Sequence, residues 1–146
     1  MSRVLQADTS GDMSDFRIEL AAVIDGLVAE GQEPLFLMVD LVGAESLRHT
    51  GDPESLSKFR ETCMASLSAA ANNAETFSYG DLRIVAILLG FDRLKTFALI
   101  DKMRRMLPLL AQSFDCILTP DFDTIELDER TGVQGIISQL AAPRRQ

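Results

Sequence analysis

Two carboxylates, Asp40 and Asp81, are the side chains of this sequence whose type and position could support chemistry. Asp40 interrupts the apolar run of residues 35–42, which predicts a buried strand, so its carboxylate must be paired, bound to a ligand or protonated. Asp81 follows Tyr79 and Gly80 at a predicted hairpin turn. Two strands that carry carboxylates to one place could hold a divalent metal, Mg²⁺ or Mn²⁺, because hard cations prefer oxygen ligands.

A simpler interpretation of both residues stays open at this point. Asp40 can cap a turn or pair with a nearby arginine, and Asp81 can be an ordinary turn residue. Either arrangement satisfies the carboxylates without a metal.

The elements that must position these residues follow from hydrophobic periodicity and turn residues. The predicted elements are a helix at 13–30, a strand at 35–42, a helix from Asp52 to Asn73, strands at 75–79 and 82–89, a long helix from Asp92 that Pro108 kinks or ends, short strands at 116–119 and 124–127, and a helix at 131–142.

The order of these elements after the first helix is strand, helix, strand, strand, helix, strand. This is the split βαβ, or ferredoxin-like, pattern of the α+β class: an antiparallel sheet with both helices on one face. The runs 35–42 and 82–89 match its two central strands. The helix at 13–30 is an addition that packs on the sheet or pairs with a partner, and its wide apolar face favours packing. The residues after Pro120 are a short C-terminal extension that either completes the sheet or forms an arm to a neighbour.

The bulk properties indicate a single domain at 13–146, preceded by a mobile leader at 1–12. The net charge of −8 over 146 residues argues against a general nucleic-acid binder. The basic cluster Lys102, Arg104 and Arg105 is predicted to be a solvated helix face.

No signal peptide or membrane-spanning run is visible, so we predict a cytoplasmic protein with no membrane partner. Cys63 and Cys116 lack metal-ligand spacing, so we predict that both are buried free thiols.

The residues around the two carboxylates resemble those of nucleotide-cyclizing enzymes. The segment from Asp40 to Leu47 resembles the first metal motif of class III nucleotide cyclases, and Tyr79-Gly80-Asp81 with the apolar strand after it resembles their second motif. The same stretch through Gly90, with the following helix, resembles a GGDEF diguanylate cyclase domain. The resemblance implies a palm-like fold, with Asp40 and Asp81 as metal residues.

The resemblance also implies that Gly43 and Gly80 lie beside a nucleotide. The sequence nevertheless departs from both families: Leu82 replaces the second acidic residue of the GGDEF signature, and Ala44 stands where an aromatic residue is expected. We find no match for the Asn and Arg that class III enzymes place on a later helix. Because phosphoryl chemistry depends on positioned positive charge, these departures predict that catalysis has been lost.

Three hypotheses follow for the function. The favoured one is a non-catalytic regulatory or protein-interaction module in signalling, derived from a cyclase-like palm domain, with a protein partner or a second copy as its ligand. The alternative is a divergent, metal-dependent nucleotide-binding protein or nucleotidyl cyclase that binds a purine nucleotide and acts as a homodimer. The third is a purely structural domain whose carboxylates are local caps.

Overall fold

The computed structural model describes residues 5–7, 13–49, 52, 54–127 and 132–141. Its strands are β1 (Leu5–Ala7), β2 (Leu35–Asp40), β3 (Glu75–Tyr79), β4 (Arg83–Leu88) and β5 (Asp121–Glu126), and its α-helices are α1 (Met13–Ala29), α2 (Ser55–Ala70), α3 (Arg93–Gln112) and α4 (Gly132–Ala141). A 3-10 helix spans Ala44–His49 between β2 and α2.

The strands form one five-stranded sheet in the order β1-β3-β4-β2-β5. The pairs β3–β4, β4–β2 and β2–β5 are antiparallel, whereas β1 runs parallel to β3 at the edge. The order β3-β4-β2-β5 is that of the ferredoxin-like fold, with β2 and β4 at the centre, so the predicted fold class is confirmed.

The two central strands are apolar except for Asp40 at the end of β2 and Arg83 at the start of β4, because both faces of the sheet are covered. Alternate residues point to opposite faces, so each strand contributes to two separate cores. On one face, α2 and α3 cover a core that includes Leu37 and Val39 of β2 and Ile84, Ala86 and Leu88 of β4.

The other face is covered by α1 and α4. Phe36 and Met38 of β2 and Val85 of β4 pack there with Leu20 and Ile24 of α1 and with three α4 residues, Ile136, Ile137 and Leu140. The prediction that the first helix packs on its own sheet is therefore confirmed. The C-terminal extension contributes a strand and a helix to the domain, which gives the sheet a helical layer on each face.

Several local predictions differ from the structure. Leu5–Ala7, inside the predicted leader, forms β1, while residues 1–4 and 8–12 lie outside the described part of the chain. Residues 116–119 are not a strand, and Asp121–Glu126 form a single one. Helix α2 begins at Ser55 rather than at Asp52. Its N-cap is Glu54, and the Asp52 side chain accepts a hydrogen bond from the Glu54 N–H at 2.9 Å.

Helix α3 continues through Pro108 to Gln112, which corrects the prediction that proline could end it. Leu107 and Ala111 on either side of the proline are fully buried, so packing on the sheet holds the last turn despite one missing backbone donor. Phe97 of α3 is 67% exposed although it is large and apolar. Thr96 and Leu99 are the buried residues of that turn.

Candidate functional site

Asp40 forms a paired, half-buried carboxylate at the end of β2. It lies directly opposite Arg83, the first residue of β4. Arg83 Nε donates to Asp40 Oδ1 at 2.6 Å and Arg83 Nη2 to Asp40 Oδ2 at 3.1 Å, a two-pronged ion pair. The Arg83 and Asp40 side chains are only 12% and 17% exposed. Arg83 is therefore the group that satisfies Asp40.

A helix completes this arrangement. The Arg83 Nη1 group donates to the main-chain carbonyl of Leu140 in α4 at 2.5 Å. Strand alternation places Asp40 on the same face as Phe36 and Met38, the face that α1 and α4 cover. The ion pair thus links β2, β4 and α4.

Asp81 has a different environment, in the hairpin turn between β3 and β4, where its side chain is 43% exposed. Arg48 of the 3-10 helix contacts Asp81 Oδ2 at 3.2 Å, and Arg60 of α2 contacts Asp81 Oδ1 at 3.5 Å. Arg60 Nη1 also lies 3.4 Å from the Asp81 main-chain oxygen. Both partners come from the α2 side of the sheet.

The two carboxylates therefore share one end of the sheet but have partners on opposite faces. The backbone joins the two regions closely, since the Leu41 N–H donates to the Leu82 carbonyl at 2.7 Å. Among the described residues, no group of three or more His, Cys, Asp or Glu side chains could hold a metal ion. With each carboxylate already bound by guanidinium groups, this arrangement does not fit a shared divalent cation. The metal assignment of Asp40 and Asp81 stays a prediction.

The loop after Asp40, which includes the predicted nucleotide-binding residue Gly43, is closed by its own neighbours. The Gly43 N–H donates to the Glu45 carboxylate at 2.8 Å, and the Gly43 backbone has a φ of 108°. A Cβ at Gly43 would lie 2.1 Å from the Ile117 carbonyl oxygen. The Thr119 N–H donates to the Val42 carbonyl at 2.8 Å, so the segment that follows α3 lies directly on this loop.

Gly80, the other predicted nucleotide-binding residue, is in an open position. It has a φ of 71°, a backbone conformation that residues with a side chain rarely adopt. A Cβ at this position would meet none of the described residues within 4 Å. Its conformation is required by the turn, whereas that of Gly43 is required by both the turn and a close contact.

The two cysteines are buried free thiols, as predicted. Burial, with a smaller contribution from nearby Cys116, raises the pKa of Cys63 to about 12. Burial also raises the pKa of Cys116, whose Sγ lies 3.5 Å from the Gly43 carbonyl. Both thiols stay protonated at neutral pH, which makes them poor nucleophiles and poor metal ligands.

Sequence reasoning did not identify the residues that occupy the site: Arg83, Arg48, Arg60, Glu45 and the segment 116–119. One signal was present for Arg83, which is a lone cation at the start of an apolar strand just as Asp40 is a lone anion at the end of one. The other contacts depend on how the chain returns to this end of the sheet after α3.

No helix in the described part of the chain is both long enough and apolar enough to cross a bilayer. No family model matches the sequence, and no curated protein matches it significantly.

Solved structures do resemble the chain. The GGDEF domain of DgcB from Caulobacter crescentus, in complex with c-di-GMP, is 10% identical with a TM-score of 0.63 over 86% of this chain and 77% of that one. The coiled coil and GGDEF domain of the same protein, also with c-di-GMP, is 11% identical with a TM-score of 0.64 over 86% and 69%. A sensory box/GGDEF family protein from C. crescentus CB15 is 13% identical with a TM-score of 0.56 over 85% and 83%. At this identity the similarity shows the fold alone: the chain has the cyclase-like palm fold of GGDEF domains.

Proposed function

We propose that this chain is a non-catalytic regulatory or protein-interaction module built on a cyclase-like palm fold. The observation that carries the proposal is the two-pronged ion pair between Asp40 and Arg83, at the position where the resemblance expects a metal ligand. The module acts in the cytoplasm, where Cys63 and Cys116 stay reduced.

Metal binding at Asp40 would require this ion pair to break. Arg83 is 12% exposed and would then keep a buried charge without its carboxylate, which costs about 3–5 kcal/mol in comparable pairs. A divalent cation would also face the guanidinium at close range. The pair therefore stabilises the fold and disfavours metal binding at Asp40, the position where the resemblance implies a metal residue.

The loop after Asp40 supports the same proposal. A phosphate group needs free backbone N–H donors or positive charge around it. The Gly43 N–H donates to the Glu45 carboxylate at 2.8 Å, so an anion of the chain itself takes that donor. A nucleotide phosphate entering here would meet a like charge and the Ile117 backbone.

The turn at Asp81 lacks the second acidic residue, which Leu82 replaces. Arg48 and Arg60 neutralise the carboxylate that remains. We interpret this cluster as a stabilising contact between the hairpin, the 3-10 helix and α2.

A test of the proposal is to incubate the protein with GTP or ATP and Mg²⁺ or Mn²⁺, and to analyse the products by chromatography and mass spectrometry. An active diguanylate cyclase assayed in parallel shows that the conditions support catalysis. We expect no cyclic nucleotide. Formation of a cyclic product by the wild type, and its loss in Asp40→Asn, would replace this proposal with that of a divergent cyclase.

Purine-nucleotide binding without turnover is the second candidate. It is favoured by the two similar DgcB structures, which contain c-di-GMP. Binding of c-di-GMP measured by calorimetry, without metal, tests it. A saturable heat of binding would make the module a nucleotide receptor, whereas no heat would direct attention to protein partners.

A further inference from the structure

Two helices on opposite faces of the sheet expose apolar side chains. Among the described residues, seven large hydrophobic side chains are exposed, and five of them lie on α1 and α3. These are Ile18 at 68% and Val28 at 52% on α1, and Leu94 at 80%, Phe97 at 67% and Leu109 at 62% on α3. Several large apolar side chains exposed along the same helix favour an interaction surface on that helix.

The charges of the two helices are opposite. Residues 93–112, which form α3, carry five cations and one anion, a net charge of +4 in a chain whose total is −8. Residues 13–29, which form α1, carry three anions and one cation, a net charge of −2, and two further anions, Glu30 and Glu33, follow the helix. The anions Glu19, Asp25, Glu30 and Glu33 are all exposed. The chain therefore carries on one face the electrostatic complement of the other.

The outer surfaces of α1 and α3 also differ in shape. Ala22, Gly26 and Ala29 lie on one exposed stripe of α1, at helical spacing. A Cβ at Gly26 would meet none of the described residues within 4 Å, so no contact with that part of the chain requires a glycine inside this helix. The flat stripe allows close approach by bulky side chains such as Leu94 and Phe97.

We infer that the outer face of α3 in one copy binds the outer face of α1 in a second copy of this chain. Exposed apolar residues on both faces, opposite net charges and a bulky surface against a flat one all favour this pairing. Because α1 and α3 cover opposite faces of the sheet, the contact is head-to-tail, and it extends into rings or filaments rather than ending at a symmetric dimer. The inference rests on the proposed function as an interaction module, and it names the partner.

The first measurement is sedimentation velocity of the full chain over a range of concentrations. We expect association that increases with concentration at low ionic strength and weakens strongly near 1 M salt, where the Debye length is about 3 Å. A wild type that stays monomeric up to about 1 mM, which corresponds to a binding free energy too weak for a specific assembly, would overturn the inference.

Two surface variants then test the direction of the contact. Phe97→Glu blocks the α3 face and Gly26→Arg blocks the α1 face, and each alone should weaken association by at least about tenfold. Mixed together, the two variants should form a one-to-one heterodimer that grows no further, because the mixture keeps one intact pair of faces. A symmetric α3–α3 or α1–α1 contact would not be restored in this way, and that result would contradict the inference.

Two control variants match these changes. Ile117→Glu adds the same charge and removes an apolar side chain that is 89% exposed, but outside both helices. Gly26→Ala keeps the stripe on α1 small. Both controls should associate like the wild type, and melting curves of all four variants confirm that they are folded. Loss of association in either control would count against the pairing. The cyclic-nucleotide assay addresses the proposed function separately, so failure of one is distinguishable from failure of the other.

Discussion

Asp40 and Asp81 lie at the same end of one sheet and have opposite environments. Asp40 is 17% exposed and holds a single arginine with both oxygens. Asp81 is 43% exposed and is shared by two arginines at longer distances. We therefore expect the two carboxylates to contribute differently to stability, because solvent screens an exposed ion pair more strongly than a buried one.

The difference has a geometric origin. Side chains alternate along β2, so Asp40 lies on the face that α1 and α4 cover, whereas the partners of Asp81 come from the 3-10 helix and α2 on the other side. A metal shared by the two carboxylates would need one of them to change its partners.

The largest effect is expected for Asp40→Asn. The substitution keeps the shape of the side chain but leaves the buried guanidinium of Arg83 uncompensated, so the free energy of unfolding should fall by about 3–5 kcal/mol in urea denaturation. The double variant Asp40→Leu/Arg83→Met removes both charges and should recover most of this loss. A single-variant cost below about 1 kcal/mol would mean that the pair is no stronger than a surface contact.

The next largest effects are expected at Gly43 and Gly80, which lie in the backbone close to Asp40 and Asp81 respectively. Gly43→Ala introduces a Cβ 2.1 Å from the Ile117 carbonyl oxygen at a φ of 108°, which should cost about 3 kcal/mol. Gly80→Ala has open space and a φ of 71°, so only backbone strain of about 1 kcal/mol remains. Equal costs in urea denaturation would show that the loop after Asp40 is not closed by the segment at 116–119.

A smaller effect is expected for Asp81→Asn. Its carboxylate is 43% exposed and Arg48 is 47% exposed. Arg60 is 17% exposed but keeps its hydrogen bond to the main-chain oxygen of residue 81, so the loss in the free energy of unfolding should not exceed about 1 kcal/mol. The same denaturation experiment measures it. A loss comparable to that of Asp40→Asn would remove the distinction between the two sites.

The smallest expected effect is the change that salt produces in the cost of each substitution, and this change should differ between the two ion pairs. Raising the salt concentration to about 1 M shortens the Debye length to about 3 Å, so the cost of Asp81→Asn should approach zero while that of Asp40→Asn changes little. Unfolding of each variant at low and high salt tests this. A parallel decrease of both costs would contradict the burial of Asp40.

The central part of the fold could be predicted from the sequence. The unbroken apolar runs that became β2 and β4 determine the middle of the sheet, and the tight turn at Gly80 favours an antiparallel order. The buried face of α3 was harder to predict from local patterns. Phe97 and Leu99 are both apolar, and packing on the sheet determines that Leu99 is the buried one. Pro108 does not end α3, because its effect on the helix is local whereas the buried neighbours Leu107 and Ala111 hold the last turn through the core.

The site was harder to predict than the fold. Asp40 and Asp81 could be selected because a charge in an apolar run or at a hairpin is visible in the sequence. The pairing of Asp40 with Arg83 depends on the register between β2 and β4, which the sequence does not specify by itself. The contact between Gly43 and Ile117 depends on the path of the chain after α3, over a separation of more than seventy residues.

The most direct test of the central claim, that an ion pair stands in place of a metal–nucleotide site, is the melting temperature with and without Mn²⁺ plus GTP or ATP. A ligand at a hundred times its dissociation constant adds about 2.7 kcal/mol of stability, which is readily detected. We expect no shift in the wild type or in Asp81→Asn. A clear increase in the wild type that Asp40→Asn abolishes would show that Asp40 releases Arg83 to bind the metal, and would contradict the account.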